Sequence, residues 1–224
     1  RLRLVVLSDP SVNRDGVSID DIHIYDNTNG IYDVTGASPV VNQTAVNGSG
    51  WFHFVETGTN KLIASVNPNG QNMGSTDVQS FVNTTGVRIK NNQYYHDRNI
   101  TIKPTTFTLT DSATVRFYFL DTETEALINA TGCGSCYKPS TAYDLGVSKY
   151  SHPDDNLENG TIADNNNAGN WLFITSAKAA KIPFDKGYYA EFKVKDFSEF
   201  WLNNGGIDNL QSLPVELISF AAKK

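Results

Sequence analysis

The chain is poor in the residues that most chemistry needs. Its 224 residues include two cysteines, one methionine and four histidines, and only 19% are charged. The histidines (His23, His53, His96, His152) are scattered and form no His-Glu-x-x-His metal motif. No Gly-x-Ser-x-Gly elbow occurs, and Ser49, between Gly48 and Gly50, sits in a turn without that frame. A pair of glycosidase carboxylates has no fixed spacing, and nothing singles one out. The chain therefore reads as non-catalytic. No apolar run exceeds four residues (4–7 and 117–120), which is too short for a spanning helix and implies no membrane insertion. Lys and Arg nowhere cluster, and 18 basic against 24 acidic residues give a formal net charge of −6, wrong in sign and pattern for nucleic acid. The first residues carry no signal-peptide pattern, so the chain is expected to be mature or cut from something larger.

What the chain has in quantity is turn and strand material: 17 Gly, 20 Thr, 23 Asn, 10 Tyr and 12 Phe. The length allows one large all-β domain or two smaller ones. Residues 2–7 predict a strand, 8–16 a turn and 17–25 a second strand. Two strands alone are unstable in water, so 1–27 are expected either to pack on the next domain or, the preferred reading, to be the tail of a sandwich whose earlier part is missing. Residues 51–55 and 61–66, separated by Thr57-Gly-Thr-Asn60, predict a hairpin, and Asn67-Pro-Asn-Gly70 a turn of residues that tolerate positive φ. Residues 94–103 alternate as one strand with Ile100 and Ile102 on one face, and 105–110 place Phe107 and Leu109 together. Val115, Phe117 and Phe119 line one face of the next strand. In 187–195, Tyr188, Ala190, Phe192 and Val194 face one way, and Tyr189, Glu191, Lys193 and Lys195 face the wet side. One short helix is expected after Asp121, with Thr122 and Glu125 as its capping box and Gly132 as its stop. Residues 151–170 are polar and predict a long exposed loop.

The only cysteines lie in Cys133-Gly-Ser-Cys136. A zinc site lacks a second ligand pair, and a redox motif should open a helix instead of following one. The preferred reading is a Cys133–Cys136 disulfide that pins a surface turn, which implies an oxidising, extracytoplasmic setting.

At three places the wording is familiar as well as the period. Asp15-Gly-Val-Ser-Ile-Asp-Asp-Ile-His-Ile-Tyr-Asp26 resembles the closing strand of MAM-like jelly-roll domains in large secreted proteins of the Bacteroidetes. Tyr94-Tyr-His-Asp-Arg-Asn-Ile-Thr-Ile102, Val115-Arg-Phe-Tyr-Phe119, Gly187-Tyr-Tyr-Ala-Glu-Phe192 and Asp196-Phe-Ser-Glu-Phe-Trp-Leu202 resemble a β-sandwich module that follows such a domain. Leu213-Pro-Val-Glu-Leu-Ile-Ser-Phe220 resembles the phrase before the C-terminal sorting region of type IX secretion substrates. The resemblance implies an extracellular or cell-surface bacterial protein, exported through the periplasm. It also implies that the type IX machinery is a partner, through a C-terminal domain the chain does not contain.

Five candidate features follow. Asp9, Asn13 and Asp15 at alternate positions before Gly16, with Asp20 and Asp21, offer the oxygen-rich pattern of a Ca²⁺ site, although Ser11 and Ile22 do not fit an EF-hand. Asp21 shares a face with Val17 and Ile19, so its carboxylate needs compensation; the MAM-like resemblance implies a structural Ca²⁺ or Na⁺ there, against a plain capped turn. A second acidic cluster, Asp154-Asp155-Asn156-Leu-Glu158, reads as a solvated loop, and His96-Asp97-Arg98 as a surface ion-pair cluster. Trp51, Trp171, Trp201 and the pairs Tyr94-Tyr95 and Tyr188-Tyr189 could supply a platform for sugar stacking, against ordinary core packing, and one tyrosine of each pair is expected to point outward. Ser112, in Asp111-Ser112-Ala113, matches the short pattern that Bacteroidetes O-glycosylate.

The expected architecture is all-β: an antiparallel β-sandwich of jelly-roll or Ig-like type over 28–206 with one short helix, the alternative being a split near Pro104 into two smaller sandwiches. Closing strands of another jelly roll precede it (1–27), and a linker with the first strand of a further domain follows (207–224). The leading expected function is a non-catalytic adhesion, spacer or ligand-presenting module of a secreted multidomain protein. The alternative is a carbohydrate-binding accessory to a secreted hydrolase, with polysaccharide or matrix protein as the partner.

Overall fold

The computed structural model describes residues 29–205. The strands expected at 2–7 and 17–25, the ion-site residues Asp9, Asn13, Asp15, Asp20 and Asp21, and the stretch 207–224 lie outside the described residues. In chain order the elements are β1 (Gly36–Ala37), β2 (Val41–Gly48), β3 (Phe52–Glu56), β4 (Lys61–Asn67), β5 (Gln71–Val82), β6 (Arg88–Lys90), β7 (Gln93–Tyr95), β8 (Arg98–Pro104), β9 (Thr108–Leu120), α1 (Asp121–Ile128), β10 (Gly146–Ser151), β11 (Asn170–Ile174), β12 (Ala180–Phe184), β13 (Gly187–Asp196) and β14 (Glu199–Asn203).

The fold is an all-β antiparallel sandwich with one helix. One sheet runs β12-β13-β9-β4-β3; the other runs β5-β8-β14-β10-β11, with β1 and β2 both paired along the free edge of β5. Pro39 lies between β1 and β2 and cannot donate to the ladder, so this outer strand is broken at an edge, where proline is tolerated. Both sheets interleave strands from either side of Pro104, β8 between β5 and β14, and β9 between β4 and β13. The inner faces follow period-two alternation. Ala64, Val66, Val115, Phe117, Phe119, Ala190, Phe192 and Val194 from one sheet meet Val78, Ile100, Ile102, Val147, Phe200 and Leu202 from the other, all buried in one cluster. Phe192 and Phe200 join the two layers with ring centres 5.5 Å apart. Each fully buried phenylalanine contributes about 1.5–3 kcal/mol.

The hairpin expected at 51–66 is β3–β4. Glu56 closes its turn by accepting from the Gly58 and Thr59 amides and the Thr59 hydroxyl, each at 2.7 Å. The hydroxyl and amide donors hold the Glu56 carboxyl below its ordinary value. β6 and β7 form a second hairpin, with Asn91 and Asn92 both at positive φ (50° and 60°), as a two-residue turn of the I′ kind requires.

Several expectations are corrected. The single strand expected over 94–103 is broken at His96–Asp97. There the chain leaves its pairing with β6 and joins β5 and β14, with the His96 amide donating to Leu202 O at 2.9 Å. Alternation does send Tyr94 and Tyr95 to opposite sides, yet both are buried: Tyr94 enters the core, and Tyr95 lies under a cluster on the outer sheet face. Phe107 and Leu109 part company, Phe107 being 51% exposed and Leu109 buried. The helix is capped by Glu123, which accepts the Leu120 amide at 2.9 Å, and not by Thr122 with Glu125. Residues 151–170 are no simple exposed loop, because Glu158, Ile162 and Asn165 are buried against the outer face of the larger sheet.

Candidate functional site

The expected Cys133–Cys136 disulfide is present, with Cα atoms 5.4 Å apart. It closes the turn after α1, where the Cys133 amide donates to the Tyr94 hydroxyl and Lys138 Nζ donates to Ala130 O at 2.8 Å. Ser112 is half-buried in β9. Its amide donates to Asp111 Oδ1 at 2.7 Å, and its carbonyl accepts Asn69 Nδ2 at 2.8 Å.

His96-Asp97-Arg98 is a buried network instead of a surface cluster, because β8 enters the sandwich where α1 covers its end. Arg98 is fully buried and grips Glu123 with two nitrogens, Nε to Oε2 at 2.9 Å and Nη2 to Oε1 at 2.6 Å. His96, also fully buried, sets Nδ1 3.0 Å from Asp97 Oδ1. Burial pushes the Asp97 carboxyl up, but the His96 ring and the charges of Arg98 and Arg88 outweigh it and leave it below its ordinary value. His96, Asp97 and Glu123 bring ligand atoms within 4.8 Å of one another. Both Glu123 oxygens, however, already accept from Arg98 and the Leu120 amide, so the guanidinium supplies the positive charge a metal would bring. This cluster is structural.

The aromatics do not make a flat platform. Trp201 is buried, and half-buried Trp171 packs on Tyr150 with centroids 4.8 Å apart. On the outer face of the smaller sheet the Arg116 guanidinium lies 3.8 Å from the Trp51 ring centre and 4.7 Å from that of Tyr189, and its Nε donates to Glu191 at 2.8 Å. The surface a sugar would stack on is taken by arginine. Below it, Ser65 lies 2.8 Å from His53 Nδ1 and 2.9 Å from the Tyr118 hydroxyl. A serine–histidine contact suggests a nucleophile, but here it is a cross-strand pair in the middle of a ladder.

An opening lies on the outer face of the other sheet. Alternation sends Asp77, Gln79 and Phe81 of β5 and Thr101 and Lys103 of β8 outward, and residues 155–159 close over them to bound a cavity of about 360 Å³. The 151–170 segment is held down by polar anchors. Lys90 Nζ donates to Ile162 O at 2.9 Å and also to Asn165 O, Lys103 Nζ donates to Asp155 O at 2.8 Å, and the Tyr150 hydroxyl donates to Asn166 O at 3.1 Å. The central anchor is Glu199 of β14, fully buried beneath the cap. It accepts the Gly160 amide at 2.6 Å, Asn165 Nδ2 at 2.9 Å and Asn99 Nδ2 at 3.0 Å. Loss of water pushes its carboxyl up to about 7, in spite of the Asn165 and Gly160 donors. Burial likewise lowers Arg88, which stacks on Trp201 beside this network, to about 10.

Within the cavity Glu158 is only 7% exposed and accepts the His152 amide through Oε1 at 3.0 Å; burial raises its carboxyl above the ordinary value. The acidic cluster at 154–158 is thus part wall and part turn. Asp154 Oδ1 caps a single helical turn through the Asn156 amide at 3.0 Å, while Asp155 and Glu158 face the cavity. The outward polar alternation of Asp77/Gln79 and Thr101/Lys103 was a visible signal for this wall, and the return of the cap onto it was not. Comparison of the chain with protein-family models, with curated proteins and with solved structures finds no match.

Proposed function

We propose that the chain is a non-catalytic, ligand-presenting sandwich module of an exported or cell-surface multidomain protein, and that its ligand is a carbohydrate held in the capped cavity. The observation that carries this reading is the lining itself. Carboxylates, amides, a hydroxyl and an amine surround one aromatic ring, Phe81, in a cavity of about 360 Å³. That mixture suits a polyhydroxylated ring, which presents hydroxyls around its edge and C–H groups on its face. The Cys133–Cys136 disulfide supports an oxidising compartment, and export by the type IX route remains what the resemblance implies. No described helix is long and apolar enough to cross a membrane.

The test is retention of the purified full chain on a panel of insoluble polysaccharides, with calcium and with chelator. Retention on at least one glycan, unaffected by chelator and lost in Asp77→Ala/Asp155→Ala with the circular dichroism spectrum unchanged, is expected. No retention, or retention that survives the double substitution, overturns the reading.

A further inference from the structure

The hydrogen-bonding groups of the cavity are not balanced. Each of its side-chain nitrogens already gives at least one hydrogen to a protein acceptor. Gln79 Nε2 donates to Ser38 O at 2.7 Å, Lys103 Nζ to Asp155 O at 2.8 Å, and Asn156 Nδ2 to Asp154 Oδ1 at 2.8 Å. Asn159 Nδ2 gives both hydrogens away, to Asn156 O and Asp164 Oδ2, each at 2.9 Å. The carboxylates are in the opposite condition. Asp77 accepts one bond, from Asn42 Nδ2 at 2.6 Å on Oδ1, which leaves Oδ2 open. Glu158 accepts only through Oε1, and the Asp155 carboxylate receives no hydrogen bond from a described residue. The cavity therefore presents open carboxylate oxygens and three acidic side chains against one lysine, whose amine already gives one hydrogen to Asp155 O.

A ligand that satisfies such a wall brings donors and positive charge. Glu158 sharpens the requirement, because it is held in one geometry within the wall, only 7% exposed, with an oxygen left to pair. An anionic sugar would set its carboxylate or sulfate against these oxygens, and like charges at this range repel. An N-acetylated amino sugar offers a single neutral donor where the free amine offers several charged ones, and charge-assisted bonds are about twice as strong. Phe81, whose ring packs on Gly160, gives the C–H face of such a ring something to lie against. A bare lysine side chain would make less use of that face.

Resting on the carbohydrate reading above, we infer that the cavity selects glycans with free amino groups, of the polyglucosamine kind, over their N-acetylated and their anionic counterparts. The test is titration calorimetry of the full chain with three soluble oligomers of matched length: glucosamine, N-acetylglucosamine and galacturonate. The pH is one at which the free amine is protonated, and oligolysine serves as a fourth arm. The expected result is at least tenfold tighter binding of the glucosamine oligomer than of its acetylated form, no binding of the galacturonate, and weakening as salt is raised. Asp77→Asn and Asp155→Asn, which keep shape and remove charge, should each narrow the tenfold preference. Equal binding of the acetylated oligomer, binding of the anionic one, or binding of oligolysine without the amino sugar overturns the inference. If the neutral or anionic glycan binds and the cavity substitutions abolish it, the carbohydrate site stands and only its ligand class falls. If no glycan binds, both fall.

Discussion

Arg98 and Glu123 show how a single residue can be indispensable without touching a ligand. Arg98 grips both oxygens of Glu123, and both residues are buried. Arg98→Met alone strands a buried carboxylate and is expected to lower unfolding stability by about 3–5 kcal/mol. Arg98→Met/Glu123→Met removes both charges and keeps only the loss of the Leu120 cap, so urea unfolding should find the double variant more stable than the single one. Glu199 makes a second residue-scale prediction. Its carboxyl is pushed from an ordinary 4.5 to about 7 in the folded chain, so the folded state holds a proton that the unfolded chain has released. The associated stability is fully present below about pH 4.5 and is lost as pH rises to about 7, on the order of 3 kcal/mol in all. Glu199→Gln cannot titrate. The difference in unfolding free energy between it and the parent chain should therefore shift across that window, and a flat difference would contradict the assignment. Neither residue could be judged from sequence. His96-Asp97-Arg98 reads as a wet cluster because nothing local reveals that α1 covers it, and the Asn99–Glu199 bond joins positions 100 residues apart.

At the scale of elements, the alternating strands were legible and the polar connections were not. Val115, Phe117 and Phe119, like Ala190, Phe192 and Val194, occupy the core as their period requires. The hairpin at Thr57–Asn60 formed where its turn residues stand. The failures share a cause. Alternation turns one tyrosine of the Tyr94-Tyr95 pair outward and composition assigns 151–170 to water, yet a face that alternation turns outward can still be covered by a later stretch of chain. That cover is fixed by Lys90, Tyr150 and Glu199, whose partners are backbone groups and amides instead of apolar side chains, so no hydrophobic period announces it. Gly160 is where the cap is most exposed to substitution. It has φ +87°, and a Cβ there would lie 2.3 Å from Phe81 Cγ. Left-handed backbone alone costs a larger residue about 1–2 kcal/mol, and the ring would have to move as well. In Gly160→Ala, hydrogen exchange should quicken over residues 153–169 while the amides of β9 and β13 keep their protection. Uniform change across the chain would mean that the cap is not a separable unit.

For the whole molecule, the sandwich works as a frame with two unlike outer faces. The smaller sheet carries Trp51, Arg116 and Tyr189 stacked on one another, a closed surface whose aromatic groups already have partners. The larger sheet is roofed by the cap and keeps an opening beside β5 and β8 whose carboxylates are only partly paired. The all-β class and its disulfide could be read from composition and from Cys133-Gly-Ser-Cys136; which face holds the cavity could not, since that depends on where a polar loop comes to rest. We place binding at the opening beside β5 and β8. Amide chemical shifts followed during titration with a glucosamine oligomer test it most directly. Saturable shifts confined to 77–81, 101–103 and 155–160, with Trp51, Arg116 and Tyr189 unmoved, are expected; shifts centred on those three, or none at any concentration, would contradict binding at this opening.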